Sequence, residues 1–140
     1  MPAHAKSYLL DTSALFCLKE NEPGAGEVER VLRDAGPKER VSISFISLME
    51  FFYIVQQEQG EEEAQKSYLQ LKQLPLQVVE SDEALGLAAA RFKARGKISV
   101  ADAWIAATAQ RLQATLIHKD PEFEAFQDEL ALSPLPYKSK

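Results

Sequence analysis

Short apolar runs alternate with amphipathic stretches along the whole chain, and the joints between them are sharply punctuated. Tyr8-Leu9-Leu10 is an apolar run that ends in Asp11. It predicts a strand over Ser7–Asp11 that breaks into a helix over Thr12–Glu20. Asn21-Glu22-Pro23-Gly24 is a break. A helix follows over Ala25–Ala35, with Val28, Val31 and Leu32 on one stripe, and Gly36-Pro37 ends it. Arg40–Ser44, with β-branched Val41 and Ile43, predicts a second strand. Phe45–Gln59 is apolar on nearly every side through Val55, so its helix must be covered by the core and by something else. Gly60 separates it from an amphipathic helix over Glu61–Leu74. Pro75 then leads to a strand over Leu76–Val79. Ser81–Arg95 and Ser99–Ala114 predict two more helices, with Gly96 as the C-cap of the first. A strand over Thr115–Ile117, a short helix over Pro121–Phe126 and an edge strand over Leu130–Leu135 complete the pattern.

Strands separated by helices, with almost no hairpin turns, imply a mainly parallel sheet flanked on both faces. The expected fold class is therefore α/β, a three-layer α/β/α sandwich. No repeat or linker divides the 140 residues, so one domain over residues 1–140 is expected. The apolar and charged fractions, 46% and 26%, are those of a soluble globular protein. No run approaches the length of a membrane span, and Met1 to Lys6 lacks a leader pattern. Cys17 is the only cysteine, which rules out an intrachain disulfide and fits a reducing, cytoplasmic setting. The net charge of −5 is not that of a dedicated nucleic-acid binder. Any polyanion must then be held locally or with the help of cations.

The chemistry lies in four acids at element edges, Asp11, Glu50, Asp102 and Asp120. Each has a plain reading. Asp11 and Asp120 stand where helix N-caps stand, and Asp120 precedes Pro121, a favourable first helical residue. Ser47 with Glu50, and Ser99 with Asp102, have capping-box spacing. The joint placement tells more. Asp11 and Asp120 follow strands, Glu50 lies on a helix that follows a strand, and Asp102 lies in the first turn of a helix. In a parallel sheet these positions share the carboxyl edge, where ligands bind. Carboxylates gathered there repel one another unless protonated or bridged by a cation. Oxygen-only donors favour a hard ion, Mg²⁺ or Mn²⁺. Thr12 and Ser13 can hydrogen-bond a carboxylate, a water or a phosphate; Ser13 is the better site candidate, and Thr12 can help cap the helix.

Three other families of site fail on particular residues. A phosphatase of the haloacid dehalogenase type wants a second Asp two places after the first, where Ser13 stands. A phosphate-receiver domain wants an Asp ending a central strand, whereas Arg40–Ser44 ends in Ser. A dinucleotide binder wants a Gly-rich turn where Asp11-Thr12-Ser13 stands. His4, Cys17 and His118 have no zinc spacing.

Four segments together resemble those of the PIN-domain nucleases, and most closely the VapC-type toxins of prokaryotic toxin–antitoxin pairs. They are Leu9-Leu10-Asp11-Thr12-Ser13, Ser44-x-x-Ser47-x-x-Glu50, Ser99-x-Ala101-Asp102-Ala103-x-Ile105-Ala106 and Leu116-Ile117-His118-Lys119-Asp120-x-x-Phe123. In the fourth, His118 stands where Thr or Ser is commoner in the family. The resemblance implies a divalent-metal-dependent endoribonuclease, a homodimer silenced by a cognate antitoxin. Asp11, Glu50, Asp102 and Asp120 would be metal ligands and catalytic acids, with Ser13 beside them. The alternative within the same family is a PIN fold kept as a binding or scaffold module.

Two further groups carry expectations. Arg91 and Arg95 share a helical face just before Asp102 and could guide an RNA backbone, or simply complement the helix C-terminus. Phe45, Phe51, Phe52, Tyr53, Ile54 and Val55 exceed what one side of a small core needs, so some could form a dimer or antitoxin surface. Trp104 reads as core rather than as a base-stacking platform.

Overall fold

The computed structural model describes residues 6–138. His4 and most of the stretch read for a leader lie outside the described residues. A five-stranded sheet carries the molecule: β1 (Lys6–Leu10), β2 (Glu39–Ser44), β3 (Gln77–Val79), β4 (Thr115–His118) and β5 (Ala131–Pro134). Its order is β3-β2-β1-β4-β5, and every paired neighbour is parallel. The helices are α1 (Thr12–Lys19), α2 (Ala25–Arg33), α3 (Phe45–Gln59), α4 (Glu61–Lys72), α5 (Glu83–Arg95) and α6 (Val100–Leu112). A 3₁₀ helix covers Pro121–Phe126.

The central strands explain the unbroken apolar runs of the sequence. Both of their faces are covered, so neighbouring residues serve different cores. Leu10 and Ile117 join Val28, Val31, Phe51 and Val55 beneath α1 to α4. Leu9 and Leu116 join Leu85, Phe92, Ile105 and Phe123 beneath α5, α6 and the 3₁₀ helix. On α3 the inward face carries Phe51 and Val55, while Met49 and Tyr53 remain 55% and 41% exposed. Trp104 is partly buried, edge-on to Phe45, and its Nε1 donates to Ser81 Oγ at 3.0 Å. It fastens α6 to α3 and to the start of α5.

Gly96 stands at the C-cap of α5, as expected, but not in the conformation usual for a glycine there. Gly96 is extended, with φ −143° and ψ 167°, and does not adopt the left-handed conformation of a glycine C-cap. A Cβ at this position would meet Phe126 Cζ at 2.5 Å. The glycine is needed for that close approach to the 3₁₀ helix, a tertiary contact that local spacing does not reveal.

The strand order fixes where a ligand can sit. From β1 the chain moves through β2 to β3, then returns across the sheet to β4 and β5 on the other flank. The switch lies between β1 and β4, and a cleft opens beyond their carboxyl ends. Asp11 follows β1 and Asp120 follows β4.

Candidate metal centre

Asp11 is buried, and its two oxygens do different work. Oδ2 accepts the Ser13 backbone N–H at 3.1 Å and a short hydrogen bond from Ser13 Oγ. That oxygen is the α1 cap. Oδ1 is buried and has no hydrogen-bond partner among the described residues. One oxygen of the carboxylate thus caps α1, and the other is left without a partner among the described residues. Burial pushes the Asp11 carboxyl up to about 6, opposed by the Ser13 hydrogen bonds and assisted by the charges of Glu50 and Asp120.

Asp102 stands in the first turn of α6, 9% exposed. Ser99 Oγ accepts its backbone N–H at 3.0 Å, completing one half of the expected capping box. The carboxyl group itself interacts with Asp11 and Asp120. Burial foremost, then the Asp11 charge, a hydrogen bond with Asp120 and the charges of Asp120 and Glu50 push it up to about 9. Protons held by this cluster belong to the group of acids rather than to one member.

Asp120 caps the 3₁₀ helix through Oδ1, which accepts Glu122 N–H at 2.9 Å. Ligand atoms of Asp102, Asp120 and Glu122 all lie within 4.8 Å of one another. Glu122 is the residue that sequence reasoning missed. Its signal was present in Asp120-Pro121-Glu122, where the tight turn brings the third residue back beside the first.

Glu50 lines the same cleft from α3. Thr12 Oγ1 lies 2.6 Å from Glu50 Oε1 and 2.9 Å from Ser47 Oγ. The single Thr12 proton goes to the carboxylate, and Ser47 donates to Thr12. Burial raises the Glu50 carboxyl and the Thr12 hydrogen bond opposes that rise. Thr12 therefore orients an acid and does not cap α1. Ser13 Oγ also accepts the Lys119 backbone N–H at 2.9 Å, which ties the end of β1 to the end of β4.

His118 is fully buried and does not line the cleft. Its Nδ1 accepts the Asp120 N–H at 3.2 Å, so the ring proton rests on Nε2. Burial holds the imidazole below its usual range. It shapes the turn that presents Asp120. Arg91 and Arg95 also lie away from the cleft lining. Arg95 stacks over Phe92 and Phe126, at 5.0 and 5.6 Å from the ring centres, and pairs with Glu129 at 2.7 Å.

A family model for the PIN domain matches residues 8–129, a span that includes all of these acids. The chain belongs to the PIN domain family. Its fold resembles that of VapBC-1 from nontypeable Haemophilus influenzae, with 28% identity and a TM-score of 0.73 over 91% of this chain and 97% of that one. VapBC2 from Rickettsia felis, bound to a DNA fragment from its promoter, has 18% identity and a TM-score of 0.75 over 93% and 99%. VapC20 from Mycobacterium tuberculosis, a sarcin-ricin loop cleaving toxin, has 18% identity and a TM-score of 0.71 over 91% and 99%. At 18% identity the likeness speaks for the fold. No curated protein matches the chain by sequence.

The donor set fits a hard divalent cation. It is made of oxygens, it contains a buried carboxylate oxygen without a partner, and it gathers acids that resist ionising together. Among the described residues no helix is long and apolar enough to cross a membrane.

Proposed function

We propose that this single-domain protein is a divalent-metal-dependent endoribonuclease, the toxin of a toxin–antitoxin pair, acting in the cytoplasm. The observation that carries the reading is the unpartnered, buried Asp11 Oδ1 in a cleft that Glu50, Asp102 and Asp120 also line, within a PIN fold. Asp11, Asp102 and Asp120 would hold Mg²⁺ or Mn²⁺, with Glu50 as a further ligand and Glu122 at the outer edge. A cation bound there supplies Lewis-acid polarisation of a phosphodiester and a lowered pKa for water.

The chain's own residues prepare the site. Ser13 holds one Asp11 oxygen, which leaves the other for the ligand. Thr12 locks Glu50 against α1. The N-termini of α1 and α6 favour negative charge on Asp11 and Asp102 once their protons leave. The cleft has a volume of about 710 Å³ and is where the RNA strand would enter. The exposed Met49 and Tyr53 on α3 offer a surface for a second copy or for an antitoxin. Arg91 and Arg95 would contact RNA backbone along the flank of α5; Arg95 shares its charge with Glu129.

The test is incubation of purified protein with RNA, with and without Mg²⁺ or Mn²⁺, beside an Asp102→Asn variant. Cleavage only by the wild type and only with the cation is expected. Equal cleavage by both proteins would reject the metal-nuclease reading, and no cleavage of any RNA would favour a scaffold role.

A further inference from the structure

Acids outnumber cations by seven to two along the cleft that receives RNA in this reading, and they include Glu20, Glu22 and Glu58. A polyanion entering it needs a fixed positive charge. The described lining contains two cations, Lys119 and Lys138, and they differ sharply. The Lys119 side chain is 3% exposed, with Nζ 3.1 Å from Glu22 Oε1. The Lys138 side chain is 73% exposed, with Nζ 3.0 Å from Glu22 Oε2. Glu22 thus serves two ammonium groups with one negative charge, and the buried partner already neutralises it. The Lys119–Glu22–Lys138 triad carries a net positive charge, and its exposed member faces the cleft.

The segment that presents Lys138 is held from several sides. The Leu135 N–H donates to His118 O at 2.7 Å, extending the β4–β5 ladder. Leu135 is buried, and with Pro136 it packs so closely on Gly24 that a Cβ there would lie 3.0 Å from Pro136 Cδ. The Tyr137 ring lies 6.2 Å from the His118 ring. The charges of Glu58 and Glu20 act on the Lys138 ammonium as well as that of Glu22, and Glu20 is itself paired with Lys19.

We infer that Lys138, fastened at the mouth of the acid cleft by Glu22, is a phosphate contact for the RNA strand that enters the site. The inference rests on the endoribonuclease reading. An exposed ion pair of this kind contributes little to stability, so the ammonium can share its donors with a phosphate oxygen without loosening the fold.

The experiment measures binding of a fluorescein-labelled, mixed-sequence single-stranded RNA by fluorescence anisotropy across a salt series in millimolar Ca²⁺. Wild type, Lys138→Ala, Lys138→Gln, Lys138→Arg and Lys72→Ala are compared. Lys72 ends α4 and does not line the cleft. Wild-type cleavage of the same RNA in Mn²⁺ is measured in parallel. Loss of one phosphate contact from a single strand lowers the slope of log affinity against log salt by about 0.7. That loss is expected in Lys138→Ala and in Lys138→Gln, which removes the charge but keeps a polar side chain. Lys138→Arg and Lys72→Ala should retain the wild-type slope. Wild-type cleavage with an unchanged slope in Lys138→Ala and Lys138→Gln overturns this inference alone. A wild type that neither binds nor cleaves RNA overturns it together with the endoribonuclease reading. An equal rise in melting temperature with Mn²⁺ in wild type and Lys138→Ala shows that the acid cluster is intact.

Discussion

Removing divalent metal should make the protein lose stability as the pH rises above neutrality, the reverse of the usual behaviour of carboxylates. Asp102 titrates near 3.8 when unfolded and is pushed up to about 9 in the folded chain. Between those values the folded state holds a proton that the unfolded state has released. Stability therefore falls as pH rises through the window, and the loss is complete only above the folded value. Asp11, raised from 3.8 to about 6, makes its contribution below neutrality. His118 is held below its usual 6.5, so its opposite contribution is also spent by neutrality. Cys17 is raised from 9.0 by burial, and its contribution begins near the top of the window with the same sign as that of Asp102. From about pH 7 to about pH 8.5 the slope is close to one proton, roughly 1.4 kcal/mol per pH unit, or about 2 kcal/mol in all. Urea unfolding in EDTA at the two ends of that range measures it. Excess Mn²⁺ should abolish or reverse the trend, because the metal binds the ionised acids. Asp102→Asn should remove the slope and stabilise the metal-free protein at the upper pH. Flat or rising stability in EDTA, or an Asp102→Asn variant that keeps the slope, would show that Asp102 holds no such proton.

Other substitutions probe the supports of the site. Thr12→Val removes the hydroxyl that holds Glu50 and should cost about 1–2 kcal/mol in urea unfolding while weakening Mn²⁺ binding. Gly96→Ala forces a Cβ into the Phe126 ring and should cost about 1–3 kcal/mol, with no change in the salt dependence of RNA binding. Glu22→Ala leaves the buried Lys119 ammonium without its carboxylate and should destabilise the fold by about 3 kcal/mol, read as a lowered urea midpoint.

Much of the architecture was legible because the chain repeats one local decision. A short apolar run is followed by a capped helical stretch, and Asp11, Ser99 and Asp120 are N-caps in the structure as their positions suggested, whereas Ser47 lies inside α3, whose N-cap is Ser44. Element ends shift by a residue or two, as at β1, which begins at Lys6 and ends at Leu10. The order of the strands was not legible, since pairing of β1 with both β2 and β4 depends on contacts distant in sequence. The same distance hid the Gly96–Phe126 approach, the bond from Thr12 to Glu50 and the Glu22 bridge between Lys119 and Lys138. Asp11 shows the limit most clearly. Its residue type and position fit a cap and a ligand equally, and only the structure shows that the cap occupies one oxygen and leaves the other without a partner among the described residues. Glu122 escaped notice because an exposed Glu beside a proline is ordinary surface until the turn brings it to Asp102 and Asp120.

Binding of a divalent cation by these acids decides the proposed function. The direct measurement is titration of metal-free protein with Mn²⁺, with free Mn²⁺ followed by its electron paramagnetic resonance signal. Wild-type protein should deplete the free signal, and Asp102→Asn should deplete it far less. Equal depletion by the two proteins, or none by the wild type, would mean that these acids hold no divalent cation.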